Sequence, residues 1–292
     1  MIVHVAAAGE ARGRVVLQLG SGEPNVLALQ AAVQVARAFN SEIESLFIES
    51  QQLLQLASYP FAREISLTGR SSRSICSADI EQDLRLASQA VHRQLDALAQ
   101  AADVPLRQRV VRAEPIEAVA QACAECGPWN VVALGYALGG QTLSMLADLF
   151  ASVTDATGVV AVGPKVRRAT GPVIVAIEDA MRLPAMLATA ERLAPLCAAV
   201  EGPGEIVALL VGDDVDQLVL LEGHVRLSLG ERENVRVQLL DARMGSSGVI
   251  AETLRRLQGG FIIAAHGGLT IPDGPDLALL ASVVECPMFL VK

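Results

Sequence analysis

Cys123 and Cys126 stand in a C-x2-C spacing of the kind that metal and redox sites use. No second pair accompanies them, and the apolar pattern puts both near the end of a helix, so they read as ordinary helix residues. The four histidines, His4, His92, His224 and His266, fall in four separate segments. Only His266 closes a predicted strand, next to Gly267 and Gly268, where a doubly wound sheet places its ligands. It is either a turn residue or an anion contact. Glu178 and Asp179 close another strand, but an acidic pocket would need a third aspartate and a lysine that the sequence does not supply there. They read as a solvated turn. No G-x-S-x-G nucleophile elbow occurs, and the expectation is no catalytic set and no metal site.

A different cluster lies in residues 59–73, where Tyr59, Phe61, Arg63, Arg70 and Arg73 crowd together. Arginine forks suit carboxylate or phosphate groups. Leu53, Leu54, Leu56, Ile65 and Leu67 make the stretch too apolar for a disordered linker. Residues 51–57 are expected to form a helical turn and 64–67 an extended piece, both packing over the first half of the chain. Two roles stay open: a cover for an exposed edge, or a segment that gates a ligand or docks a protein partner.

The elements that must position these residues alternate. Apolar runs at residues 15–19, 43–48, 106–111, 131–134 and 159–162 read as strands. Between them, helical spacing marks 26–36, 78–101, a helix opened by Pro115, and 143–156. The second half repeats the order, with strands at 173–177, 205–211, 235–240, 261–265 and 288–291. Its helices are expected over 183–197, 213–229, 246–257 (capped by Ser246 or Ser247) and 276–284. Strand–helix alternation implies α/β architecture with doubly wound parallel sheets. Residues 164–171, flanked by Gly-Pro on both sides, read as a linker between a first domain, 1–163 with the inserted segment 51–77, and a shorter one, 172–292.

Composition narrows the function classes. The 292 residues are 52% hydrophobic but only 3% aromatic, so Ala, Val, Leu and Ile must build the core. Mean hydropathy is +0.42, yet the apolar runs are far shorter than the roughly 18–20 residues of a membrane span. The high value points instead to buried strands and an apolar subunit face. The first residues lack the basic start and apolar length of a signal peptide. A net charge of −9 argues against nucleic acid. Five cysteines without framework spacing fit a reducing, cytoplasmic setting.

Three passages give the chain a family likeness. Val173-Ile174-Val175-Ala176-Ile177-Glu178-Asp179 resembles the acid-terminated opening strand of universal stress proteins. Val131-Val132-Ala133-Leu134-Gly135 is similar to their fourth strand, and Glu285-Cys286-Pro287-Met288-Phe289-Leu290-Val291 to their closing Cys-Pro strand. The chain looks like that fold used twice. In that family, ATP-binding members resemble G-x2-G-x9-G-[ST], in which backbone N–H groups and a helix N-terminus hold phosphates. Here Gly135, Gly139 and Gly140 precede Ala151-Ser152, with one residue too many between and alanine for the last glycine. Leu19-Gly20 replaces the opening acid. The second half keeps Glu178 but has only a short loop after His266.

The resemblance therefore implies a degenerate site at Gly135, Gly139, Gly140, Ser152 and Thr154, with Glu178 as the acidic candidate of the second half. The first-half glycines are structural remnants or a weak site for ATP or another adenine nucleotide. The expected role is a non-enzymatic regulatory or binding protein with a protein partner. A weak ATPase and a ligand-free scaffold are the alternatives. The family's dimers pair last strands, so 159–162 and 288–291 are expected to join the two halves as an internal pseudodimer.

Overall fold

The computed structural model describes residues 13–292 apart from 60, 67, 69, 126–128, 231, 243–246 and 273–274, and the side chains of 141, 247 and 275 are likewise outside it. The first half opens with β1 (Arg14–Leu19), α1 (Val26–Ala38) and β2 (Glu42–Glu49). Then come α2 (Gln51–Ser58), the small hairpin β3 (Arg63–Ile65) and β4 (Ser72–Ser74), and α3 (Ser77–Ala101). It closes with β5 (Leu106–Arg112), α4 (Pro115–Ala124), β6 (Asn130–Ala137), α5 (Gln141–Ser152) and β7 (Ala156–Val162). The second half runs β8 (Val173–Ile177), α6 (Leu183–Cys197), β9 (Ile206–Gly212), α7 (Val215–Leu229) and β10 (Val235–Asp241). It ends with α8 (Ser247–Arg256), β11 (Phe261–Ala265), α9 (Pro275–Val283) and β12 (Met288–Val291).

Among the described residues the main strands form one ten-stranded sheet, ordered β10-β9-β8-β11-β12-β7-β6-β1-β2-β5. Read outward from the middle, both halves show the same strand order, and every pair within a half is parallel. The halves meet at β7 and β12, which pair antiparallel with Val160 opposite Phe289. Gly158 makes that joint possible: a Cβ there would lie 2.7 Å from both the Leu290 carbonyl oxygen and the Phe289 ring.

Successive side chains of a strand point to opposite faces. Thus Val15, Leu17 and Leu19 join one core with Phe47, Val175, Leu210 and Phe289, and Val16 joins the other with Leu46, Ile174, Leu209 and Leu290. Both cores run through both halves. Strands buried on two faces explain the unbroken apolar runs and the high hydropathy. No helix among the described residues is long and apolar enough to cross a membrane.

Three expectations change. The helix expected over 143–156 starts earlier and ends at Ser152, because Ala156 already pairs with Asn130 in the sheet. The stretch 50–77 contains a full helix, capped by Ser50 Oγ accepting from the Leu53 amide at 3.4 Å, and a strand at 72–74 that returns against 63–65. It does not bury its apolar residues as expected: Ala57 and Ala62 are covered, but Tyr59, Phe61 and Ile65 are exposed, with Tyr59 and Phe61 stacked on each other. Residues 4, 126 and 246 and the cap at 247 lie outside what is described.

Candidate functional site

β1 lies between β2 and β6, so the chain leaves it in one direction and returns on the other side. Ligands of open α/β sheets bind at such a reversal, beyond the strand carboxyl ends. A crevice of about 340 Å³ opens there, lined by Gln18, Gly20, Ser21, Gly22, Ser50, Tyr136, Thr142 and Met145 among others. Gln18 is 5% exposed. Its amide oxygen is closed off from solvent and has no hydrogen-bond partner among the described residues. Among the described residues no carboxylate lines the crevice.

Helix α5 begins at one wall. Its N-cap is Gly140, at φ +49°, with no side chain capping the helix and no acid in its first turn. That left-handed conformation suits glycine. A Cβ on Gly139 or Gly140 would meet nothing within 4 Å, so the backbone there is open to approach. Gly135 plays another part. It lies inside β6, where a Cβ would come within 2.6 Å of Leu19 Cδ2 and 2.8 Å of the Gln18 carbonyl oxygen. It is a packing glycine.

Ser152 and Thr154 are not part of this group. Ser152 is the last residue of α5 and Thr154 lies beyond it, both exposed. A 12-residue helix rises about 18 Å, so the expected partnership with Gly139 and Gly140 does not form. Ala151 likewise sits at the far end.

Tyr136, from β6, was not singled out by sequence. Its phenol oxygen accepts the Gly20 amide and donates to the Gly22 carbonyl at 3.5 Å. Gly22 leaves room for the ring, which a Cβ would approach to 3.1 Å. Burial pushes the Tyr136 phenol above its ordinary pKa, against the smaller pull of the two backbone contacts. The side chain thus bridges the reversal between β1 and β6.

The equivalent crevice of the second half, about 230 Å³, lies beyond β8 and β11. There Glu178 bridges the reversal. Its two carboxylate oxygens accept the amides of Leu269 and Thr270 at 2.8 and 2.7 Å. Gly268 is needed beside it, since a Cβ would meet the carboxylate at 2.3 Å. The Gly267 amide is already bonded to the Ile271 carbonyl at 2.9 Å. Asp179 and Arg182 complete the lining, and His266 stacks its ring on Phe150 of α5 at 3.9 Å between centroids. Of the loop's amides, those of Leu269 and Thr270 are taken by the Glu178 carboxylate and that of Gly267 by a backbone carbonyl.

Of the other expected residues, Tyr59, Phe61, Arg63, Arg70 and Arg73 line neither crevice. Arg63 donates to Ser72 Oγ at 2.9 Å and Arg73 pairs with Glu64, both within the exposed hairpin. Cys123 is buried in α4. Among the described residues no cluster of metal-ligating groups occurs.

No family model matches this chain, and no curated protein does. Solved structures do. A universal stress protein from Archaeoglobus fulgidus DSM 4304 superposes at a TM-score of 0.59 with 12% identity, covering 95% of this chain and 96% of that one. A protein of unknown function from Pseudomonas aeruginosa PAO1 superposes at 0.52 with 14% identity, covering 97% and 92%. At such identities the likeness speaks to architecture alone. The chain has the α/β fold of universal stress protein structures, laid down twice in tandem within one sheet.

Proposed function

We propose that the chain is a universal-stress-type binding protein of the cytoplasm that takes an adenine nucleotide, ATP or a relative, in its first-half crevice and acts on a protein partner by binding rather than turnover. The observation that carries this is the crevice at β1 and β6: about 340 Å³, free of carboxylates among the described residues, with an uncapped helix N-terminus on one wall. That volume lies within the range of small-molecule sites. Phosphates suit the α5 N-terminus, whose Thr142 lines the crevice, with the open Gly139-Gly140 backbone just before it and outside the lining. Binding is weak because Tyr136 holds the Gly20 amide that a ligand would compete for. The second half takes no nucleotide, since Glu178 already holds its loop.

Isothermal titration of ATP into the intact chain and a Thr142→Asp variant tests the reading. The new carboxylate sits in the first turn of α5, where it favours the helix but repels phosphate. The expected result is one site per chain and a loss of at least about tenfold in the variant. Equal affinity in both, or no binding by the intact chain, overturns it. Phosphate release from the same samples separates a binder from a hydrolase, and none is expected.

A further inference from the structure

A second cavity, of about 310 Å³, opens between α2, the β3–β4 hairpin and the start of α3. Its walls divide by chemistry. Leu53, Ile80, Leu84 and Ala87 give an apolar side, and among the described residues Glu64, Asp79 and Asp83 set three carboxylates against one cation, Arg73. Glu64 is spent on Arg73, to which it is both hydrogen-bonded and ion-paired. The Arg73 guanidinium is held above its ordinary value chiefly by that contact, and Asp79 and Asp83 add least. Asp79 and Asp83 stand four residues apart on α3, so two like charges share one helix face, with Asp79 in the first turn, where the helix N-terminus favours an acid. Neither has an ion-pair partner among the described residues. Two carboxylates without such a partner, only weakly offset by Arg73, stand beside an apolar wall and suit a cationic head with an apolar body.

We propose that this cavity is a binding site for an amphipathic organic cation, an ammonium group held by Asp79 and Asp83 with its hydrocarbon body against Leu53, Ile80, Leu84 and Ala87. The charged head meets the acids at the exposed end of the α3 face, and the body removes apolar surface from water. Ser21 lines this cavity and the nucleotide crevice alike, so the β1–α1 loop separates two sites of opposite charge preference. The cation site rests on its own walls and does not depend on the nucleotide reading.

Cys76 supplies the test. It lines the cavity and is exposed, whereas Cys123, Cys197 and Cys286 are buried, with the last two thiols pushed up to about 12 by burial. Alkylation of Cys76 in the intact chain by iodoacetamide, followed by peptide mapping, is compared with and without 4-phenylbutylamine. The neutral 4-phenylbutanol is the matched control. The amine is expected to slow Cys76 alkylation with an apparent affinity about tenfold better than the alcohol. In an Asp79→Asn/Asp83→Asn variant that preference disappears. Using the rate ratio with and without amine cancels any change in the thiol's own reactivity. Equal protection by amine and alcohol, amine preference surviving in the double variant, or no protection by the amine overturns the proposal.

Discussion

Glu178 shows how one side chain closes a site. Its carboxylate takes two backbone donors, at Leu269 and Thr270. Charge-assisted bonds contribute less where water can replace them, and Glu178 is only half-buried with the Leu269 contact exposed, so Glu178→Ala should lower unfolding stability by about 1–3 kcal/mol in urea melts. ATP affinity should not change, because the nucleotide crevice lies in the other half. A drop in ATP affinity would tie the two crevices together and contradict that assignment. His92 carries the pH dependence. Burial lowers its pKa below 6.5, against the weaker pull of Asp96, and its Nε2 is buried without a partner among the described residues. The folded chain therefore prefers neutral imidazole. Stability from this group is complete above about pH 6.5 and is lost as pH falls through the lowered folded value. Comparing urea midpoints near pH 7.5 and near pH 5 should show a smaller acid loss in His92→Gln than in the parent. An identical loss in both rules His92 out as its source.

Among the elements, α5 and the hairpin decide the most. The strands and most helices were legible in the sequence, because period-two and helical spacing follow directly from burial on a sheet face. What was not legible is tertiary. Tyr136 meets Gly20 and Gly22 across 116 and 114 residues, and Glu178 reaches Leu269 and Thr270 across 91 and 92. No local pattern encodes such pairings. The displacement of Ser152 and Thr154 had a readable signal, since buried Leu146, Leu149 and Val153 continue a helical stripe that starts just after Gly140. The glycine spacing of the ATP-binding pattern concealed it. The hairpin misled for another reason: apolar composition does not guarantee burial, and Phe61 is 75% exposed. It should be dispensable to the fold. Replacing residues 61–74 by a short glycine-serine turn should cost about 1 kcal/mol or less and abolish amine protection of Cys76. A loss of several kcal/mol would show that the hairpin holds the first half together.

For the whole molecule, the antiparallel joint of β7 and β12 turns two repeated sheets into one, with cores continuous across it. Each half thereby covers the edge strand of the other, an edge that would otherwise invite aggregation. Phe289, 1% exposed and seated over Gly158, lies at the centre of that joint. Phe289→Asp buries an unpaired charge and should destabilise the chain by about 3–5 kcal/mol, with aggregation on heating. Unchanged melting would mean that the joint contributes little. The central claim concerns the two reversals of this sheet: that of the first half admits a nucleotide, and that of the second is filled by its own carboxylate. Hydrogen exchange on the intact chain, with and without saturating ATP, reads both at once. The expected result is slowed exchange at residues 19–22 and 139–143, with 267–270 unchanged. Slowing at 267–270, or no change in either segment at saturation, would contradict it.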